Sequence, residues 1–280
     1  MFFRLGAALL RALPLEWASA ISGRGWRWAA PFTRRHRRAL AHIALAFPHL
    51  DEVQREKIAR DMWENLGRVF AESFHLDEIA FGGRVRFAPG SEPEKILPAD
   101  RRFVACAPHL GNWEAAAAGM AMAGARTAGV YQRIKNPLVD AYVRRMRAPF
   151  YPGGLHPKHT DAGRKVLAHI KAGGAFATMA DLRDHMGVSV PFFGRLAPST
   201  GFPAQAARAT GVPLFAAMIA RAPLNGQQVR FEITLREIPA PRSADRGADV
   251  AAATAALQAA FEDFVRAHPG QWMWAHRRWG

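Results

Sequence analysis

Through the first eighty residues the apolar positions recur at helical spacing. The basic run Arg34-Arg35-His36-Arg37-Arg38 leads into ALAHIALAF, and Asp51 opens a segment in which Val53, Ile58, Met62, Leu66, Val69 and Phe70 recur near helical spacing. These spacings predict a helical N-terminal region over residues 1–82. From residue 84 the texture changes to short apolar runs, Phe103 to Ala107, Ala128 to Tyr131, Ala175 to Met179 and Val212 to Ile219, separated by helix-like stretches. The alternation predicts an α/β fold over 83–280: a mixed, largely parallel sheet flanked by helices, with ligands gathering at the carboxyl ends of its strands. Gln228 to Leu235 alternates cleanly, as a half-buried or edge strand does. Pro239 to Gly247 reads as a loop, and Ala248 to Ala267 as an alanine-rich helix stopped before Pro269. No repeat and no long linker divides the chain, so both regions are expected to form one continuous unit.

Composition narrows the class. With 280 residues, half of them apolar and 22% charged, the chain has ample material for a core, which excludes disordered, collagenous and disulfide-scaffold proteins. The 38 Lys and Arg against 23 Asp and Glu leave a formal charge of +15, which favours anionic partners. A lone cysteine, Cys106, excludes an internal disulfide and a thiolate-rich zinc site. At the N-terminus, Arg4 and Arg11 confine the apolar run to Leu5 through Leu10, and Pro14 and Glu16 follow. That is too short for a spanning helix of about 20 residues or for the core of a signal peptide. Phe, Leu and Trp interspersed with Arg suit a helix lying in a bilayer interface, and equally an amphipathic helix packed on its own domain.

The chemistry concentrates in Phe103 to Met122, FVACAPHLGNWEAAAAGMAM. An apolar strand ends at Pro108, His109 follows in a glycine-containing turn, and Asn112 is placed to cap a helix whose first turn holds Glu114. On one continuous helix, His109 and Glu114 would diverge by about 140°. With the helix starting between them, the turn can fold the imidazole back towards the carboxylate. A histidine oriented by an acid is what acyl transfer to an alcohol requires, because a neutral imidazole can accept the hydroxyl proton. No G-x-S-x-G elbow accompanies it, which favours direct attack by a substrate hydroxyl over a covalent intermediate. Cys106, in an apolar strand, fits a small core side chain better than a nucleophile. No metal is expected, since H-E-x-x-H and cysteine clusters are absent from the sequence.

Beyond the dyad, the blocks HLGNWE (109–114), VYQRIKNPLVDAYVRRMR (130–147), AFATMAD (175–181), VPFFGRLAPST (190–200) and HPGQWMWAHRRW (268–279) appear in order. In this order the sequence resembles the late acyltransferases of lipid A biosynthesis, within the wider His-x4-Asp/Glu lysophospholipid acyltransferase group. The resemblance implies glycerolipid-acyltransferase-like layers, transfer of a fatty acyl chain from acyl carrier protein to a hydroxyl of a lipid A precursor, and no cofactor. It implies His109 as general base, Glu114 as its orienter, and supporting positions at Arg147 and Asp181. Many family members carry Arg where Gln132 stands here, with Arg133 one place later. Arg133, Lys135 and Arg195 are the further candidate contacts for phosphate, and an anionic membrane surface at the cytoplasmic face of the inner membrane is the implied location, peripheral or monotopic. The same constellation serves transferases acting on glycerolipids, ornithine lipids or mannosylated phosphoinositides, with acyl-CoA as another donor. Asp181 could instead be the buried ion-pair partner of an arginine. Trp272 and Trp274 could close the core or join Trp279 in an interfacial belt. A basic nucleic-acid-binding protein is the competing class, but no block resembles a nucleic-acid module.

Overall fold

The structure, a computed structural model, describes the backbone of residues 2–158, 161–223 and 228–279, with side chains from residue 6 onward. The N-terminal region is helical, as the spacing predicts: α1 (Phe2–Ala12), α2 (Leu15–Ala29), α3 (Arg34–Ala46), α4 (Glu52–Glu72) and α5 (Leu76–Phe81). Pro14, extended at ψ 142°, separates the first two. Asp51 and Gln54 close a reciprocal capping box at the start of α4. Helices α2 and α4 meet at glycine: a Cβ on Gly67 would run into the Trp26 ring and the Ser22 carbonyl at 2.6–2.8 Å, and Ser22 Oγ donates to the Gly67 carbonyl at 2.6 Å.

Seven strands form the main sheet: β1 (Val85–Phe87), β2 (Val104–Ala107), β3 (Thr127–Tyr131), β4 (Leu155–Pro157), β5 (Ala175–Met179), β8 (Leu214–Arg221) and β9 (Phe231–Ile238). Their spatial order is β1-β9-β8-β2-β5-β3-β4, parallel throughout except for the β8–β9 pair. Alternate residues of the central strands feed two cores. Val104, Cys106, Phe176 and Leu214 pack with residues of α9 (Ala162–Lys171), α10 (Phe202–Thr210) and α11 (Arg246–Ala267). Phe103, Ala105, Ala175 and Phe215 face α5 and α7 (Trp113–Met122), between which in the chain lies the single-turn α6 (Pro93–Ile96). The sheet is thus the middle of three layers, with near-continuous apolar strands because both faces are covered. The first core also takes in Ile43, Met62, Trp63, Trp272 and Trp274, so the N-terminal helices and the C-terminal segment share it with the sheet.

The 228–235 segment gives β9, a half-buried strand as its alternation predicts, lying inside the sheet with β1 as the edge; Phe231, Ile233 and Leu235 are buried and their alternate neighbours only partly so. Residues 183–199 form an unexpected antiparallel hairpin, β6 (Arg183–Phe192) and β7 (Arg195–Ser199). Its two-residue turn places Phe193 (φ 52°) and Gly194 (φ 69°) in the left-handed region, the mirror-image turn that suits a twisted hairpin. Phe193 tolerates this conformation because its amide donates to the Glu262 carboxylate at 2.5 Å and its ring is buried against Phe47 and Trp274.

One buried carboxylate ties the helical region to the sheet. Glu72, at the end of α4, is fully buried and accepts from both terminal nitrogens of Arg221 on β8 (2.5 and 2.8 Å), from Ser19 Oγ on α2 (2.6 Å) and from Asn112 Nδ2 (2.9 Å). Removing one partner of such a pair strands the other charge in a low-dielectric interior. Glu72→Ala is therefore expected to lower the unfolding free energy by about 3–5 kcal/mol, read from the denaturant midpoint at unchanged slope; a loss under about 1 kcal/mol would contradict the assignment.

Candidate active site

The site is built where β2 ends. Pro108, His109, Leu110 and Gly111 turn the chain into α7, whose N-cap Asn112 accepts from the Ala115 amide at 3.2 Å. Gly111 has φ +60°, and a Cβ there would collide with the Ile219 carbonyl oxygen of β8, so the turn requires glycine for both conformation and space. The C-terminal segment clamps the turn from outside: the Gly111 amide donates to the Gln271 carbonyl (3.1 Å) and the Met273 amide to the His109 carbonyl (3.1 Å). Asn65 of α4 reaches both the Gly111 and Gln271 carbonyls, at 2.9 and 3.2 Å.

His109 Nδ1 lies 2.7 Å from Asp181 Oδ1, and its own amide donates to Oδ2 at 2.8 Å. Trp272 Nε1 donates to the same Oδ2 at 2.8 Å. Asp181 lies just past β5, the parallel neighbour of β2, so the two carboxyl ends stand side by side and their side chains meet. The carboxylate is fully buried. Burial alone would raise its pKa, but the positive charge His109 carries when protonated, the His109 hydrogen bonds and, less, the charge of a protonated His276 hold it well below the usual carboxylate range. An ionised carboxylate only accepts, so Nδ1 carries the proton of the neutral ring and Nε2 presents a lone pair. No hydrogen bond reaches Nε2 among the described residues.

This geometry differs from the sequence expectation that paired His109 with Glu114. The Glu114 carboxylate is gripped instead by Arg147, through Nε at 2.7 Å and a second bond from a terminal nitrogen. Arg147 ends α8 (Pro137–Arg147). Spacing inside one turn could not reveal a partner 72 residues downstream that only strand adjacency delivers. Asp181, which the sequence left open as the partner of an arginine, is bonded to histidine and tryptophan. Cys106 lies in the core of β2 with its thiol pKa pushed up by burial, unsuited to be a nucleophile. Arg133, Lys135 and Arg195 are exposed. Trp272 and Trp274 are fully buried and close the core.

His276 was not singled out by sequence. Its ring lies 5.0 Å from that of His109, edge to face, and one of its nitrogens stands within 4.8 Å of ligand atoms of His109 and Asp181. Burial and the adjacent His109 push its pKa down to about 4, so it is neutral near pH 7. These three side chains are the only such group among the described residues with atoms close enough to ring a cation. Three of the roughly four lone pairs of the Asp181 carboxylate are already engaged by N–H donors.

The Asp181 pKa sets a pH dependence. A folded-state value below the unfolded one contributes stability that is present above about pH 4 and lost as pH falls below it. Asp181→Asn should therefore show a shallower loss of stability between about pH 5 and pH 2 than the wild type, in denaturant melts across that range. Parallel curves would show that the carboxylate is not held in its ionised form by folding.

A model of the bacterial lipid A biosynthesis acyltransferase family matches residues 2–280. A "Lipid A biosynthesis acyltransferase" of Haemophilus influenzae is 24% identical over 288 residues, covering 98% of this chain and 84% of that protein.

Proposed function

The chain belongs to the bacterial lipid A biosynthesis acyltransferases, and from that premise we propose that it moves a fatty acyl chain from the thioester of acyl carrier protein to a hydroxyl of a lipid A precursor, with His109 as general base. The observation that carries the mechanism is the 2.7 Å pair between His109 Nδ1 and the buried Asp181. Asp181 fixes the tautomer and stabilises the imidazolium; Nε2 takes the hydroxyl proton as the oxygen attacks the thioester carbonyl. The tetrahedral intermediate collapses by expelling the thiolate, which recovers that proton. Glu114 acts through Arg147: it holds the guanidinium in place and leaves Nη1, which has no bond among the described residues, for a phosphate of the acceptor. Arg133, Lys135 and Arg195, exposed and basic, suit the phosphates of the acceptor or the acidic carrier protein, as does the net charge of +15.

The location we infer is the cytoplasmic face of the inner membrane. No helix among the described residues is long and apolar enough to cross a bilayer. On α2, Trp17, Ile21, Arg24 and Trp28 share about 60° of arc, and Trp17 and Trp28 are 66% and 72% exposed. Phe32 beyond the helix is 82% exposed. An aromatic stripe facing water, with arginines among the rings, suits burial in the headgroup region of an anionic bilayer.

His109→Ala and Asp181→Asn are each expected to lower kcat by about 10²–10⁴-fold with carrier-protein thioesters and a tetra-acylated disaccharide acceptor. Near-normal turnover by either would overturn the dyad. Running acyl-CoA in place of the carrier protein, and glycerolipid in place of the disaccharide, identifies donor and acceptor directly. For Trp17→Ala and Trp28→Ala, vesicles containing anionic lipid should bind roughly tenfold more weakly in each case, in a sedimentation assay; unchanged binding would make the stripe an ordinary solvent-facing surface.

A further inference from the structure

Acyl transfer needs a hydrogen-bond donor where negative charge develops on the thioester carbonyl oxygen, and His109 cannot supply it while its Nε2 receives the acceptor's proton. Nor can Asp181, an ionised acceptor, or Trp272, whose only N–H is already given to Asp181. His276 is the remaining polar side chain of this cluster. It lies on the segment that clamps the catalytic turn, two residues beyond buried Trp274 and three beyond Met273, whose amide bonds the His109 carbonyl.

Its hydrogen-bonding is incomplete. Nε2 of His276 is buried and has no partner, and neither ring nitrogen takes part in a hydrogen bond with the described residues. An unpaired buried nitrogen is destabilising and calls for a partner from outside the protein. The ring is nevertheless held in place, edge to face against His109 at 5.0 Å, with a nitrogen within 4.8 Å of the dyad. At that separation the rings touch edge to face, so a thioester carbonyl would approach from beside the pair rather than between them, with one imidazole receiving a proton and the other donating.

Resting on the acyl-transfer reading above, we propose that His276 is a catalytic residue whose ring N–H donates to the thioester carbonyl oxygen of the acyl donor and stabilises the oxyanion formed on it. As the acceptor oxygen bonds to the carbonyl carbon, the carbonyl π pair moves onto oxygen and is met by this N–H; the pair returns as the C–S bond breaks and the thiolate leaves. His276 keeps its proton throughout, a role suited to a neutral imidazole.

The test uses full-length protein bearing His276→Phe, His276→Met and His276→Gln, with His109→Ala in parallel. Loss of one preorganised oxyanion donor costs about 10²–10³-fold in kcat, so the Phe and Met variants should fall by that factor with KM for donor and acceptor within about threefold. Gln, which restores an N–H, should recover about tenfold of the loss. A spectroscopic arm separates contact from scaffolding. In a His109→Ala background, the infrared stretch of a bound ¹³C-labelled thioester carbonyl should lie below its frequency in free donor, and His276→Phe should remove the shift. Should one donor-free variant fail to fold, the other and the infrared arm decide. The inference is overturned if Phe or Met retains kcat within threefold of the wild type, if only KM changes, or if the carbonyl shift survives. Should His109→Ala itself remain active, it is the general-base reading that falls; an inactive His109→Ala beside a fully active His276→Phe sinks this inference alone.

Discussion

A single buried carboxylate organises the reacting centre. Asp181 accepts three N–H groups, from the ring and backbone of His109 and from the indole of Trp272, and through them joins β5, the turn after β2 and the C-terminal segment. A fully desolvated charge is tolerated only when its lone pairs are met in this way. Satisfying it therefore fixes three chain segments at once and sets the histidine tautomer. The electrostatic requirement of the fold and the chemical requirement of the site are met by the same bonds.

A second buried carboxylate makes that centre rigid from the other side. Glu72 holds Arg221 at the end of β8 and Asn112 at the start of α7, and it also takes a hydroxyl from α2. The helix bearing the exposed tryptophans is thus linked through Glu72 to the residue that caps the helix after the His109 turn.

Much of this was legible in the chain, and the parts that were not have a common cause. Local patterns announced the strand at Val104 to Ala107, the Asn112 cap and the long helix ending at Ala267, because each depends on neighbours within a few residues. His109 was legible as the candidate base from its turn and the motif around it. Its partner was not: Glu114 is five residues away and Asp181 seventy-two, and only the adjacency of β2 and β5 makes the distant acid the nearer one. The AFATMAD block contained Asp181, yet sequence could not say whether histidine or arginine would meet it. Glu72, Asn65 and Arg221 carried no signal, since a buried polar network leaves no periodicity. The β6–β7 hairpin escaped notice because Phe-Gly is an uncommon pair at its turn and its strand faces are mostly half-exposed.

The central claim, that Asp181 holds the neutral His109 ring with its proton on Nδ1 and a free lone pair on Nε2, can be observed directly by ¹⁵N NMR of imidazole-labelled protein in detergent at a pH where the ring is neutral. The structure predicts a protonated, strongly downfield Nδ1–H and an unprotonated Nε2 for His109, converting to a mixture of tautomers in Asp181→Asn. A wild-type His109 protonated on Nε2, or one that exchanges freely between both forms, would contradict it.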